Sequence, residues 1–246
     1  MPELDLATTT AADGRDLLAA AETDWSQPIP HCPGWDAADL VGHMGGILAW
    51  MARIVATGVS VARGDRETPP AGRAALASWY AAHLDRTLDI LTTTPADSPA
   101  WTFSSRGERR AGWWRRRLAV ELAIHRWDAQ HAASTGAAPP RPLDAGVAAA
   151  GIEEFLTEFL PGLLAQPDVD GLTGTLHLHA IDGPSEWWVD LDTRAAAAVP
   201  GHARADTAVQ GTESHLLLWL INRGPAPSVE ALGQPRVAAS WTQLRR

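Results

Sequence analysis

Glu121 and His125 stand four residues apart in the stretch Arg117-Leu-Ala-Val-Glu-Leu-Ala-Ile-His-Arg-Trp-Asp128, and Asp128 follows three residues after the histidine. On a helix these offsets place all three side chains on one side. A glutamate and a histidine at this spacing often form no more than a solvated surface pair. Here Leu118, Leu122 and Ile124 crowd the same turns, so a carboxylate and an imidazole near that face need a partner that offsets their burial. A divalent metal ion is one such partner.

His43 lies three residues after Leu40 and four before Ile47, beside an apolar stripe, which points its imidazole toward a helix-packed interior. That position suits a hydrogen-bonded core histidine as well as a ligand. Two imidazole nitrogens and one carboxylate oxygen from two helices form a donor set suited to zinc, whereas calcium and magnesium favour oxygen alone. Three protein ligands also leave a coordination position open, as catalytic zinc sites do.

Other residues invite chemistry less strongly. Cys32 is the only cysteine; no base stands beside it in sequence, so it reads as a small packed side chain. His177 and His179 alternate along a strand-like run and share a face, which reads as the solvent side of a sheet unless a third ligand approaches. Trp187 and Trp188 must then point to opposite faces and read as packing. Arg115, Arg116 and Arg117 read as helix surface, with room for one of them to reach an anion.

The elements that position these residues follow from periodicity and punctuation. Ala7 to Glu22 permits a first helix, closed by prolines at 28, 30 and 33. Asp36 offers an N-cap to a second helix with Leu40, Met44, Ile47, Met51 and Ile54 in helical register. A third helix is predicted over Ala74 to Leu91, a fourth over Gly112 to Ala133 and a fifth over Ala145 to Phe159, ending at Pro161. The pattern then changes to a hairpin, Thr173 to Ala180 and Glu186 to Leu191 about Asp182-Gly-Pro-Ser, with a third strand within Ala203 to Val209. A short helix over Thr212 to Asn222 and a last turn over Ala238 to Leu244 complete the chain. The fold class is α+β: a helical bundle domain over residues 1–165 and a smaller α+β domain over 166–246.

Composition narrows the function. The chain has 246 residues, 46% hydrophobic and 20% charged, with a formal net charge of -9. All of its basic residues are arginines, so a lysine Schiff base, a phosphate-loop lysine and a basic nucleic-acid surface are excluded. One cysteine allows no internal disulfide and no thiolate-only zinc or iron–sulfur site, and it suits a reducing cytoplasm. Met1 to Ala12 lacks the features of a secretion signal, and no apolar run reaches the roughly 18 residues that span a bilayer. Neither a membrane nor a nucleic acid is therefore expected as a partner.

Three stretches carry a family resemblance: Pro30-His-Cys-Pro-Gly-Trp-Asp-Ala-Ala-Asp-Leu-Val-Gly-His43, Arg117 to Asp128, and Gly211-Thr-Glu-Ser-His-Leu-Leu-Leu-Trp-Leu220. Together, and in this order, they resemble the mycothiol-dependent maleylpyruvate isomerase family over essentially the whole chain. The resemblance implies a DinB-like four-helix metal-binding bundle followed by a sterol-carrier-like α+β domain. It implies His43, Glu121 and His125 as metal ligands, with Asp128 placed to orient the non-coordinating nitrogen of His125 or a neighbouring backbone group. Arg223 falls where members carry an arginine that holds a carboxylate of thiol cofactor or substrate; a cation at a helix C-terminus is the plainer reading of the same residue.

The implied chemistry is that of zinc and mycothiol. Coordination lowers a thiol's pKa, and the thiolate attacks an electrophilic carbon. In the isomerase, addition to the cis double bond of maleylpyruvate is followed by rotation and expulsion of the thiol. In a mycothiol S-transferase the same attack ends at a stable conjugate. A non-catalytic metal- or lipid-binding protein, built on the same fold, is the reading from another class. With a single cysteine and no lysine, the reactive sulfur is expected from a diffusible thiol, and any anionic substrate is expected to meet metal, arginine or backbone N–H groups.

Overall fold

The computed structural model describes residues 6–134, 139–166, 172–192, 197–223 and 229–241, which form two compact units, 1–141 and 142–246. The first holds four long helices: α1 (Leu6–Ala21), α2 (Ala37–Thr57), α3 (Arg73–Thr93) and α4 (Ala111–Ala133). A single 3-10 turn, Arg63–Asp65, interrupts the α2–α3 connection.

The start of α2 is fixed by reciprocal capping. Asp36 accepts from the backbone N–H of Asp39 at 2.9 Å, and the Asp39 carboxylate accepts from that of Asp36 at 3.1 Å. Its end is fixed by Gly58, which takes the left-handed conformation (φ 73°) and donates to the Ile54 carbonyl. Between these caps Leu40, Met44, Leu48 and Ile54 are fully buried. With a mean hydropathy of 1.3 over its most apolar stretch, α2 is long and apolar enough to span a bilayer by length and composition alone, although His43 and Arg53 break its apolar run; 78% of that stretch is buried within the protein. Small residues interrupt the run without breaking the helix, and the apolar character is that of a core helix.

At Gly45 of α2 the ring of Trp79 on α3 packs directly against the helix backbone. A Cβ there would lie 2.1 Å from the ring of Trp79, inside any allowed contact. Gly45→Ala is therefore expected to destabilise the first unit by about 1–3 kcal/mol through overpacking, measured as a lowered urea midpoint. An unchanged midpoint would mean that Trp79 swings aside freely.

The second unit carries α5 (Ala145–Glu154), a π-helical turn (Phe155–Phe159), α6 (Leu160–Leu164), α7 (Glu213–Leu220), α8 (Pro235–Trp241) and five strands. The strands are β1 (Thr175–Ala180), β2 (Glu186–Asp190), β3 (Ala197–Pro200), β4 (Thr207–Gly211) and β5 (Glu230–Gly233), in the order β3-β2-β1-β4-β5. Only the β1–β4 pair is parallel. Leu176, Leu178, Val189 and Val209 are buried on one face of this sheet.

Three expectations change here. The boundary between units falls at residue 141 rather than near 165, because α5 packs on α7 and the Leu143 N–H donates to Ser214 Oγ at 2.9 Å; helical periodicity does not say which core a helix joins. Pro161 does not end the helix outright, since a π turn resets the register and the proline sits in the first turn of α6, where its missing N–H does no harm. Strand β4 begins at Thr207 rather than within 203–206, and the short strands β3 and β5, which the pattern does not reveal, close the two edges of the sheet. They are edge strands of four residues each, too short to show an alternating pattern. The closing helix α8 starts at Pro235; the expected turn's residues 242–244 lie outside the described residues.

Candidate metal centre

In the first unit α2 delivers His43 and α4 delivers Glu121, His125 and Asp128. One ligand atom from each of His43, Glu121 and His125 lies within 4.8 Å of the others, and His125 Nε2 is 3.8 Å from Glu121 Oε1. The imidazoles of His43 and His125 meet edge to face, ring centres 5.5 Å apart.

Two of the three donors have their second polar atom engaged. His125 Nδ1 is 3.0 Å from Oδ2 of Asp128, which is fully buried; this fixes the ring and leaves Nε2 facing Glu121. Glu121 Oε2 accepts from Arg117 one helical turn earlier, leaving Oε1 toward His125. Trp35 packs on His43 with ring centres 4.7 Å apart.

Burial, above all, pushes the His43 pKa down to about 4; the imidazole of His125 and the cations of Arg66 and Arg117 act in the same direction, against the carboxylate of Glu121. A neutral imidazole is the form that binds metal. The donor set, two nitrogens and one carboxylate oxygen already oriented by neighbours, therefore fits a divalent transition-metal ion. Beside His43 a cavity of about 470 Å³ opens between α2, α3 and the loop joining them, lined by Asp39, Gly42, Pro69, Arg73 and Leu76 among others.

Residues 7–130 match the family model described as the mycothiol maleylpyruvate isomerase N-terminal domain, and residues 146–240 match its C-terminal domain. The chain belongs to the mycothiol maleylpyruvate isomerase family. Two solved structures, of the mycothiol-dependent maleylpyruvate isomerase and of a histidine-to-alanine variant of it, share its fold: each is 14% identical, with a TM-score of 0.58 over 94% of this chain and 93% of that one. A sterol carrier protein 2-like 2 structure from Aedes aegypti is 17% identical, covering 38% of this chain and 95% of that one with a TM-score of 0.30. No curated protein matches the chain significantly.

Several residues of this mycothiol maleylpyruvate isomerase family member differ from their reading in sequence. Cys32 packs half-buried against the apolar core, as its reading as a small packed side chain has it, but its Sγ also lies 4.0 Å from Asp128 Oδ2, a carboxylate neighbour that no sequence spacing indicates. The arginine run is not plain surface: Arg115 Nε donates to the Leu91 carbonyl at 2.7 Å and closes the end of α3, while Arg117 holds Glu121. His177 is buried rather than solvent-facing, although His179 beside it is exposed on one side. Trp187 and Trp188 do alternate, and Trp187 is the buried one. Arg223 lies in the second unit, where Asn222 takes a positive φ of 56° after α7 and the Arg223 N–H donates to the Leu218 carbonyl at 2.7 Å.

The displaced titration of His43 has a sign that can be tested. Its folded value of about 4 lies below the ordinary 6.5, so the unfolded chain binds more protons in between and stability is lost as pH falls through that window. Metal-free protein is expected to be less stable at pH 5 than at pH 7, with His43 contributing on the order of 1 kcal/mol after allowance for its partial exposure. In urea titrations His43→Gln should remove that part of the difference; an identical pH dependence in both proteins would refute the assignment.

Proposed function

We propose that this chain is a metal-dependent enzyme that uses mycothiol to act on an electrophilic small molecule, in the manner of maleylpyruvate cis-trans isomerisation. The observation that carries this reading is the convergence of His43, Glu121 and His125 from two helices, with the remaining atoms of Glu121 and His125 held by Arg117 and Asp128. Family membership supports the thiol and the reaction class. The donor set favours zinc.

An ion held there would supply Lewis acidity that keeps a bound thiol in its thiolate form near neutral pH. The chain's own residues do the rest. Asp128 fixes the orientation of His125, and Arg117 fixes that of Glu121 while countering its charge. The cavity beside His43 gives a small substrate room, and Arg73 on its wall offers a guanidinium to a carboxylate. Arg223 is assigned the same role toward a carboxylate of cofactor or substrate. With Cys32 as the only thiol of the chain and the only sequence support for a reducing compartment, we assign the protein to the cytoplasm and its reactive sulfur to a diffusible thiol.

The test is turnover of maleylpyruvate by purified protein, followed by its absorbance, with and without mycothiol and after chelation. Isomerisation that needs both thiol and metal is expected. Accumulation of a mycothiol conjugate, detected by mass spectrometry, would move the assignment to S-transferase, which uses the same ligands and differs in the pocket. Failure to bind mycothiol at all would overturn the reading in favour of a binding protein.

A further inference from the structure

The second unit contains another convergence of metal-binding side chains. On β1, His177 and His179 share a face, and the β1–β2 register sets Glu186 directly opposite His179. The carboxylate thus lies on the face that carries both imidazoles. After β3, Gly201 donates to the Glu186 carbonyl at 2.7 Å and takes a φ of 120°, a conformation that glycine adopts without strain. This turn sends His202 back over β2.

Three imidazoles consequently surround one oxygen. Glu186 Oε1 lies 3.2 Å from His177 Nε2, 2.8 Å from His202 Nδ1 and 3.5 Å from His179 Nδ1. Ligand atoms of His177, Glu186 and His202 are all within 4.8 Å of one another. Two donors at zinc-ligand distances from one tetrahedral ion stand about 3.3–3.5 Å apart, so the His177–Glu186 separation is close to that of a bound pair, and the His202 side chain needs to open by only a few tenths of an ångström.

We propose that His177, Glu186 and His202 form a second metal site that takes a divalent ion of the zinc type. Two imidazoles and a carboxylate are the donors that such ions select over calcium or magnesium. Burial, and then the neighbouring His202, hold the pKa of His177 below the usual histidine range, which favours the neutral imidazole that a metal ion takes as ligand. The ligands come from β1, β2 and the segment after the edge strand β3, and a bound ion therefore clips that short edge to the sheet. His179 stands beside the site, with its Nδ1 3.5 Å from Glu186 Oε1.

The site is tested by titrating the full-length protein, stripped of metal, with Zn2+ and counting bound ions by equilibrium dialysis. Wild type is expected to bind two ions, His202→Ala one, His125→Ala one and the double variant none. The His202 side chain is 76% exposed, so its removal leaves the fold intact; Glu186→Gln, which keeps the shape, should also reduce the count to one. Equal counts for wild type and His202→Ala overturn the second site, as does a single ion that His125→Ala removes. A single ion removed by His202→Ala supports the second site while overturning the α2–α4 centre, so the two assignments fail separately.

Discussion

His125→Ala is expected to abolish stoichiometric metal binding in the first unit and to lower thiol-dependent turnover by more than about 100-fold. The size follows from its place in the centre. His125 contributes a nitrogen 3.8 Å from the Glu121 carboxylate, and its other nitrogen is tied to buried Asp128. Losing a partner behind a ligand typically weakens a site by about 10- to 100-fold; losing the ligand itself removes both the donor and the reason for Asp128's orientation. Asp128→Asn therefore supplies the graded comparison, since it keeps the shape and a hydrogen-bonding oxygen but loses the charge, and its effect should fall in that intermediate range. Metal counts are best made in a His202→Ala background, so that only the α2–α4 centre is scored. His83→Ala, at an α3 histidine paired with Glu67 of the α2–α3 connection, should leave both readouts unchanged. Full metal content in His125→Ala would remove the basis for the centre.

How much of this was legible beforehand depended on how far apart the partners lie in sequence. Glu121, His125 and Asp128 are joined by a single helical face, so their offsets alone placed them together. The Arg117–Glu121 pair has the same offset as Glu121 and His125, yet a short arginine run isolated in an acidic chain reads as helix surface. His43 comes from another helix, where the apolar stripe points it inward and donor chemistry makes it a candidate third ligand, but only the family resemblance singles it out over a core histidine. Cys32 reaches Asp128 through tertiary packing that no local pattern encodes. In the second unit, β1 showed two histidines on one face, but the ligands that meet them depend on the strand register and on the turn at Gly201. The edge strands β3 and β5 carry four residues each, too few for alternation to emerge, and the membership of α5 is decided by its contact with α7 rather than by its own sequence.

The same helix that carries the centre is anchored from behind by a buried charge, and Asp13→Ala is expected to destabilise the first unit by about 3–5 kcal/mol. Asp13 on α1 is 1% exposed and accepts from Arg126 Nε at 3.1 Å and from Arg141 Nη2 at 2.8 Å. Arg126 on α4 is itself fully buried, and its guanidinium also donates to Gln130 Oε1 and to the Arg141 carbonyl. Burial pulls its pKa down, with Asp13 opposing, but a guanidinium stays protonated under ordinary conditions. Removing Asp13 thus leaves a cation inside the protein without its counter-charge, a loss comparable with much of a domain's roughly 5–15 kcal/mol of stability. Asp16 provides the contrast: it pairs with Arg141 at 2.8 Å, but both partners are about half exposed, so Asp16→Ala should cost less than about 1 kcal/mol. Replacing both members, Asp13→Ala with Arg126→Met, should recover part of the loss, because an apolar pair carries no desolvated charge. Urea denaturation of the four proteins decides the matter: equal losses for Asp13→Ala and Asp16→Ala would show that burial adds nothing to this pair. Arg126 follows His125 directly and points about 100° further around α4, so the buried pair fixes the rotation of α4 that turns Glu121 and His125 toward His43.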